Sequence, residues 1–221
     1  MCGSFQQPGG IRIIREFASL TGIPLTPFGP LSLSGLAGPD ELILRPFSDV
    51  LVIFAGEDGG LKLAPVCWQL VHDWEKEFKS RYSCFNVRSE SLDKPHNHRL
   101  LLRRRCVFPV AGFFENRQAN GKTIKPRQVY EFSLPGRSLM ALGGIYSVWT
   151  NPGNGKDRRL SSAIITVKPN TAVGKIHNRM PFIVPPHRIP AWLNGDFADP
   201  DKLKEMICPY EGRLEAVQRR L

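Results

Sequence analysis

The feature that most constrains the fold of this chain is a succession of apolar, strand-like segments without a regular alternation of strands and helices. The segments SLMALGGIYSVWT (138–150) and RLSSAIITVKP (159–169) flank a polar loop, and DVLVIFAGEDGGLKLAPVCWQL (49–70) predicts a hairpin. A doubly wound parallel sheet needs repeated strand–helix–strand units, and the segment order does not provide them. The order therefore predicts an α+β fold built mostly on antiparallel or mixed β-sheet.

Further strands follow from the same reasoning. Residues 103–134 predict two strands joined by a loop that holds Asn120 and Gly121, a pair typical of tight turns. The segment PFIV (181–184) predicts a short strand, and the Pro- and Gly-rich tract at 21–41 predicts a loop.

Short helices are expected at the ends of the chain and between strands. In GIRIIREFASL (10–20), the apolar residues Ile11, Ile14, Phe17 and Ala18 fall on one face at helical spacing. Helices are also predicted over 73–82, 186–195 and 200–217. No segment has the character of a linker, so we expect one compact domain over residues 1–221 with short peripheral helices.

The charge of the chain indicates a polyanionic partner. The 221 residues carry a formal net charge of +10, with 30 Lys and Arg against 20 Asp and Glu. The segment HNHRLLLRRRC (96–106) concentrates four arginines and two histidines. Such a cluster suits a phosphate-facing surface, so Arg104 and Arg105 are candidate DNA contacts. The alternative is a basic protein without a nucleic acid partner.

Cysteine usage and hydropathy limit the other classes. The five cysteines are scattered, without a CxxC pair or zinc-like spacing, so we expect no metal site, no cofactor and a reduced, cytoplasmic protein. In a bacterium it would be nucleoid-associated, and in a eukaryote nuclear. No apolar run is long enough to span a membrane, and no secretory signal is evident. We therefore expect no membrane partner, and a monomer.

Polar residues are placed at alternate positions in a strand-like segment. In CFNVRSES (84–91), Asn86, Arg88 and Glu90 share one face of an extended chain. An amide, a guanidinium and a carboxylate on one face are typical of a binding or catalytic surface. A solvated edge strand is the alternative interpretation.

Two further segments carry ionisable residues beside apolar strands. Glu115 follows the apolar run in GFFEN (112–116), and burial there would raise the pKa of its carboxyl. His177 and Arg179 alternate just before the strand PFIV. The structural alternatives are a strand that exits to solvent at Glu115 and a histidine without a catalytic role.

The amino-terminal MCGSF places a cysteine directly after the initiator methionine. Removal of Met1 would leave Cys2 with an α-amine of pKa about 7.7–8.0 and a thiol of pKa about 8.5. Such a pair reacts with an aldehyde: the amine forms a Schiff base, and the thiol closes a thiazolidine ring. The aldehyde that a basic, DNA-binding protein would meet is the ring-opened sugar of an abasic site. Gly3 would let the backbone approach that sugar closely.

Six segments together resemble the SRAP family (SOS response-associated peptidase, also called abasic site processing protein). They are MCG, NVRSE, RRCVFPVAGFFE, GGIYSVW, IITVKPN and IHNRMPFIV, which occur in family order from residue 2 to about 184. Any one of these segments alone would be weak evidence for the family, whereas their joint presence is specific to it. The resemblance implies a compact, barrel-like, mostly β fold with a positively charged DNA channel.

The resemblance also implies roles for individual residues. Cys2 would crosslink to abasic sites in single-stranded DNA through a thiazolidine, Asn86 would sense the site, and Glu115 and His177 would steer ring opening and crosslinking. Arg88 and Arg179 would lie near phosphates, and Thr166 would line the pocket. A role in protecting abasic sites during the DNA damage response follows, with autoproteolytic or lyase activity as further expectations.

Several positions depart from the family pattern. Ser4 replaces an expected arginine, Asn116 an expected tryptophan, Ala111 an expected aspartate and Gln69 an expected glycine. The segment RPFSDVLVI (45–53) replaces a family block. The catalytic set is retained and the DNA-contact set is thinned, which predicts crosslinking chemistry with altered DNA affinity.

Two other functions stay open. The chain could be a thiol peptidase, with Cys2 as nucleophile, His177 as base and Asn86 as the orienting group. It could also bind single-stranded DNA without covalent chemistry, with Trp74 or Phe113 stacking on bases beside the arginines.

Overall fold

The computed structural model describes residues 2–28, 41–79, 82–137 and 139–220. The strands are β1 (Ser4–Gln7), β2 (Leu25–Pro27), β3 (Leu42–Leu44), β4 (Asp49–Ala55), β5 (Leu61–Cys67), β6 (Asn86–Arg88), β7 (Arg105–Val110), β8 (Gly112–Asn116), β9 (Gln118–Ala119), β10 (Lys122–Thr123), β11 (Val129–Ser133), β12 (Met140–Thr150), β13 (Arg158–Val167), β14 (Met180–Pro181), β15 (Ile183–Val184) and β16 (Glu215–Arg219). The α-helices are α1 (Gly10–Thr21), α2 (Pro95–Arg103), α3 (Thr171–Gly174), α4 (Ile189–Leu193) and α5 (Pro200–Met206).

A closed barrel of five strands forms the centre of the fold. Neighbouring strands pair in the order β13, β12, β7, β4 and β5, and β5 pairs with β13 to close the ring. The closing pair is parallel, at Ser161 and Cys67, and the Ser162 hydroxyl donates to the Cys67 carbonyl at 3.2 Å. Because β2 and β6 also pair in parallel with barrel strands, the sheet is mixed, and the predicted sheet-dominated, barrel-like α+β fold is confirmed.

A second, antiparallel sheet lies against the barrel and carries the amino terminus. Its strand order is β16, β11, β8, β1 and β3. Phe5 of β1 packs on Trp68, with ring centroids 4.5 Å apart, and on Phe108 of the barrel at 6.1 Å. The Gln7 amide donates to the carbonyls of Leu51 and Pro109 at 2.8 and 3.1 Å. These contacts fix β1, and with it Cys2, relative to the barrel.

The first predicted helix is present as α1, with a different buried face. Ile13 and Phe17 are buried, whereas Ile11 is 51% exposed, so the face predicted from Ile11, Ile14, Phe17 and Ala18 is not the face that is buried. Ile13 and Phe17, four residues apart, meet the core instead. It ends at Gly22, whose φ of 70° gives the left-handed conformation that glycine tolerates, and whose N–H donates to the Ala18 carbonyl.

Two predicted helices differ from the structure. The described part of 73–82 contains no helix, because its backbone bonds elsewhere: the Trp149 indole donates to the Glu75 carbonyl at 2.8 Å. The predicted helix over 200–217 stops at Met206, and β16 follows, paired with β11. Pro209 and Gly212 lie in that break and disfavour a continuous helix.

Other expectations for the chain are partly met. The hairpin of β4 and β5 and the pair of β12 and β13 are confirmed. The region 103–134 contains more strands than predicted, and its Asn120-Gly121 turn joins β9 to β10 with positive φ at both residues. The tract at 21–41 contains β2, and residues 29–40 lie outside the described part. The basic segment at 96–106 forms most of α2, a helix the sequence analysis did not predict.

Candidate active site

Cys2 is held between strands that are far apart in the sequence. It directly precedes the segment leading into β1, and β1 pairs with β8, with Ser4 opposite Phe114. Asn86 opens β6, and its Nδ2 donates to the Cys2 carbonyl at 2.8 Å. The Cys2 thiol is fully buried, with Sγ 3.7 Å from the Ser4 carbonyl oxygen. The register of β1 with β8 therefore brings Cys2 towards Glu115, near the end of β8.

Glu115 and His177 form a buried pair. The His177 Nε2 lies 3.5 Å from the Glu115 Oε2, and both side chains are almost fully enclosed. The backbone N–H of Arg179 donates to the His177 Nδ1 at 3.0 Å. The Nδ1 also lies 3.0 Å from the Arg179 carbonyl oxygen, so Nδ1 accepts from the N–H in one tautomer and donates to the carbonyl in the other. In the tautomer that carries its proton on Nε2, His177 donates towards the Glu115 carboxylate.

Burial shifts the pKa values of all three ionisable groups here. Burial raises the pKa of Glu115 to about 7, and lowers that of His177 to about 4. Burial, followed by repulsion from Glu115, raises the pKa of the Cys2 thiol far above its ordinary range. At neutral pH His177 is therefore neutral, Cys2 is a thiol, and Glu115 is close to half protonated. A carboxyl group with a pKa near 7 is suited to both giving and taking a proton.

Arg179 links this pair to the face predicted on CFNVRSES. Its Nη1 donates to the Glu90 Oε1 at 2.6 Å and its Nη2 to the Oε2 at 2.9 Å, which makes the contact bidentate. The Arg179 Nη2 also donates to the backbone carbonyl of Thr166. Thr166 of β13 pairs with Arg88 of β6, so Arg88 and Arg179 both lie beside Thr166.

A cavity of about 580 Å³ opens beside these residues. Its lining includes Arg88, Glu90, Ser91, Gln118, His177 and Arg179. The volume is in the range of ligand-binding cavities, and the lining is polar and positively charged overall. Of the predicted site residues, Arg88, His177 and Arg179 therefore face one common space.

Several buried polar atoms are unsatisfied within the described part of the chain. The Gln118 Oε1 and Arg179 Nε belong to residues that line the cavity, whereas the Asn86 Oδ1 and Asn116 Oδ1 belong to residues that do not. Buried polar groups are nearly always hydrogen-bonded, so each such atom calls for an explanation. The Gln118 acceptor and the Arg179 donor fit a ligand in the cavity that carries both a hydroxyl group and an anionic oxygen.

The two arginines predicted as phosphate contacts in RRRC have different environments. Arg105 is buried, and it donates to five backbone carbonyls, those of Leu101, Leu102, Trp192, Asn194 and Phe197. The prediction that Arg105 contacts DNA is therefore wrong, because its donors are used inside the fold. Arg104 is half-buried and lies over the Tyr146 ring, with 5.6 Å from Cζ to the ring centroid. Its contact with DNA stays a prediction.

The two aromatic residues predicted to stack on bases also differ in their environments. Trp74 is 56% exposed and stacks on His72, with ring centroids 4.2 Å apart and an interplanar angle of 6°. Phe113 is fully buried and stacks on Phe132, so the expectation that it stacks on a base is wrong. Gly3 is exposed, and Thr166 is buried against Arg179, so any effect of Thr166 on DNA binding would act through that arginine.

Sequence reasoning missed Gln118 as a residue of this site. Its backbone N–H donates to the Ile176 carbonyl at 2.8 Å, which holds the β9–β10 hairpin against the residue before His177. The predicted turn at Asn120-Gly121, close to Glu115 in the sequence, was the available signal. A larger cavity of about 820 Å³ is lined by Arg104, Tyr146 and Arg159 among others, and Cys2, Asn86, Glu115 and His177 are not among its lining residues.

Two kinds of feature are absent from the described residues. In that part of the chain, no helix is long and apolar enough to cross a membrane. Among the same residues, no group of three or more His, Cys, Asp or Glu could hold a metal ion.

The sequence is similar to a family and to named proteins. Residues 39–220 match the family model described as SOS response associated peptidase (SRAP). The Bacillus subtilis (strain 168) protein named abasic site processing protein YoqW is 33% identical over 178 residues, 79% of this chain and 76% of YoqW. The Xenopus tropicalis abasic site processing protein HMCES is 28% identical over 173 residues, 67% of this chain and 50% of HMCES.

Solved structures share the fold at lower sequence identity. A protein from Bacteroides thetaiotaomicron superposes with a TM-score of 0.80 at 17% identity, over 99% of this chain and 92% of that chain. A phage-related protein from Bordetella bronchiseptica superposes with a TM-score of 0.66 at 19% identity, over 100% of this chain and 95% of that chain.

Proposed function

Because the chain belongs to the SRAP family, and relatives named abasic site processing proteins match most of it, we propose that it processes abasic sites in DNA. In single-stranded DNA, Cys2 forms a covalent thiazolidine crosslink with the site after Met1 is removed. The observation that carries this proposal is the convergence of Asn86 and Glu115 on Cys2, with His177 behind Glu115.

The reaction begins with opening of the abasic sugar. A proton leaves the C1 hydroxyl and another reaches the ring oxygen, which gives the free aldehyde. Glu115, with a pKa of about 7, has both protonation states populated near neutral pH and can carry out both transfers. In the tautomer protonated at Nε2, His177 stabilises the ionised form of Glu115 during each transfer.

Crosslinking then takes two steps. The α-amine of Cys2 attacks the aldehyde carbon, and one water molecule leaves to give an imine. The thiol sulfur bonds to the same carbon, the thiol loses a proton, and the imine nitrogen gains one. Because burial keeps the thiol protonated, the amine attacks first and the thiol reacts only once the imine carbon is in place.

Removal of Met1 creates the α-amine on Cys2, the residue whose thiol is buried in the fold. The Asn86 amide fixes the Cys2 carbonyl at 2.8 Å, which limits rotation of the backbone that carries both nucleophiles. The Asn86 Oδ1, buried and unsatisfied within the described residues, is available to accept from a sugar hydroxyl.

The test is adduct formation between the purified chain lacking Met1 and a single-stranded oligonucleotide with one abasic site, without reductant. We expect an adduct stable on a denaturing gel, and none with the same oligonucleotide lacking the abasic site. Cys2→Ala should abolish the stable adduct, whereas Cys208→Ala, at an exposed cysteine, should not. An equally stable adduct with Cys2→Ala would overturn the mechanism.

The thiol peptidase alternative has weaker support in the contacts. In a Cys-His-Asn set the asparagine orients the histidine ring. Here the Asn86 amide bonds the Cys2 carbonyl, and the His177 nitrogens face Glu115 and Arg179. The intact mass of protein made in cells without methionine aminopeptidase tests for self-processing. A chain that cleaves itself would lack Met1, whereas a chain that does not would keep the full mass.

A further inference from the structure

The bidentate contact between Glu90 and Arg179 lies in the cavity beside the catalytic candidates. The carboxylate accepts from two guanidinium nitrogens, at 2.6 and 2.9 Å. The two partners differ in exposure: the Glu90 side chain is 53% exposed and that of Arg179 is 12% exposed. The arginine is therefore fixed in the wall of the cavity, and the glutamate covers it from the solvent side.

The Arg179 guanidinium presents the geometry that recognises phosphate. Arginine binds carboxylate and phosphate through the same pair of parallel N–H···O bonds. Arg88 lines the same cavity and pairs with Thr166, whose carbonyl Arg179 contacts. The Arg179 Nε is buried without a hydrogen-bond partner among the described residues, so this arginine has an unused donor.

The Glu90 carboxylate is held in this position by charge rather than by burial. The Arg179 guanidinium lowers the pKa of Glu90 to about 2, so the carboxylate is ionised at all physiological pH values. Exposed ion pairs contribute little to stability, and a partner that carries several phosphates can displace one carboxylate.

We propose that Glu90 occupies, in the unbound protein, the subsite in which Arg179 and Arg88 bind a phosphate of the DNA backbone. Glu90 is then a built-in competitor that lowers the affinity for intact single strands. This inference rests on the proposed function, since it takes DNA to be the partner. It assigns Glu90, which lies in the 3₁₀ turn directly after β6, a role opposite to that of Arg88 at the end of β6.

Glu90→Gln tests the proposal, because the amide still accepts from Arg179 but no longer carries the charge. The measurement is the non-covalent affinity of the full chain for an intact oligothymidylate, over a range of salt concentrations. We expect binding to tighten about threefold to tenfold, and the slope of log K against log salt to steepen by about 0.7. Glu90→Ala should have the same sign of effect.

Asp93→Asn is the matched control. Asp93 is an exposed carboxylate paired with Lys204, so the substitution changes the net charge equally and also releases a cation. Neither Asp93 nor Lys204 is among the residues lining the cavity. Equal effects of Glu90→Gln and Asp93→Asn would overturn the proposal, as would weaker binding by Glu90→Gln, which would make Glu90 a support for Arg179 instead.

A double-mutant cycle localises the effect to Arg179. Arg179→Lys keeps the charge and removes the bidentate fork. In that background we expect Glu90→Gln to give less than half of its effect on affinity, and a full effect would contradict the proposal. Adduct yield with abasic DNA is measured separately. Absence of an adduct with the wild type would contradict the proposed function, whereas the binding data alone decide the role of Glu90.

Discussion

The Asn86 Nδ2 donates to the Cys2 carbonyl oxygen at 2.8 Å, across 84 residues of sequence. This bond joins the first residue of β6 to the segment that leads into β1, and so ties the candidate nucleophile to the barrel. It acts on the Cys2 backbone, from which both the α-amine and the thiol extend.

Asn86→Ala should slow crosslinking about tenfold or more, because one lost hydrogen bond of about 1.4 kcal/mol changes a rate by that factor when it positions the nucleophile. The matched control is Asn97→Ala, which removes a comparable bond from the Asn97 Nδ2 to the Ser91 carbonyl at 2.9 Å. Single-turnover adduct formation measures both. Equal slowing by the two variants would mean that the effect is one of general stability.

Glu115→Gln should lower the crosslinking rate by about 10² or more, since the amide can neither give nor take a proton. In the wild type the rate should rise with pH through about 7, as Glu115 becomes ionised and can act as a base. The rate of the Glu115→Gln variant should depend on pH only through ionisation of the α-amine, which occurs at higher pH. Single-turnover rates between pH 5.5 and 9 check this, and a wild-type profile without a change near pH 7 would contradict the role.

The Glu115–His177 pair should also give stability changes of opposite sign with pH. The pKa of Glu115 is raised from 4.5 to about 7 by folding, so the stability it contributes is lost as pH rises through that range. The pKa of His177 is lowered from 6.5 to about 4, so its contribution is lost as pH falls through that range.

The two slopes oppose each other in the wild type, and single variants should separate them. From pH 4.5 to 6.5, Glu115→Gln should gain about 2 kcal/mol relative to the wild type, and His177→Gln should lose about as much. Urea unfolding at fixed ionic strength measures the difference from the wild type at each pH, which cancels other groups. Parallel curves for both variants would rule out the assigned pKa shifts.

Arg104 and Arg105 are adjacent, but their substitution should affect stability to different degrees. Arg105→Met leaves five backbone carbonyls without their donor and should cost about 3 kcal/mol or more of unfolding free energy. Arg104→Met should cost less than about 1 kcal/mol, and should reduce the salt slope of DNA binding by about 0.7. Chemical unfolding and salt-dependent binding measure the pair, and a reversed order would contradict these assignments.

The sequence predicted the sheet-dominated fold because its signals are local. Period-2 apolar runs and the Gly-rich turn specified β4, β5, β12 and β13 without reference to the rest of the chain. The end of the chain was predicted less well, because β16 exists only through its pairing with β11, which no local pattern records. Ring closure between Ser161 and Cys67 is likewise a contact between distant residues.

The site was predictable in part for a similar reason. The alternation of Asn86, Arg88 and Glu90 indicated a polar face, and burial of Glu115 raised its pKa as expected. The sequence could not show that the Arg105 side chain is buried, since three consecutive arginines have the same chemistry and differ only in their contacts within the fold. Nor could it show that Gln118 joins the cavity, because that depends on the bond from its backbone to Ile176.

The central claim is tested most directly by the intact mass of the adduct with abasic single-stranded DNA. The account predicts the mass of the chain without Met1 plus that of the oligonucleotide, minus one water molecule. It also predicts that the adduct survives without reductant and that fragmentation places the bond on Cys2. An adduct that retains Met1, or one attached elsewhere in the chain, would contradict it.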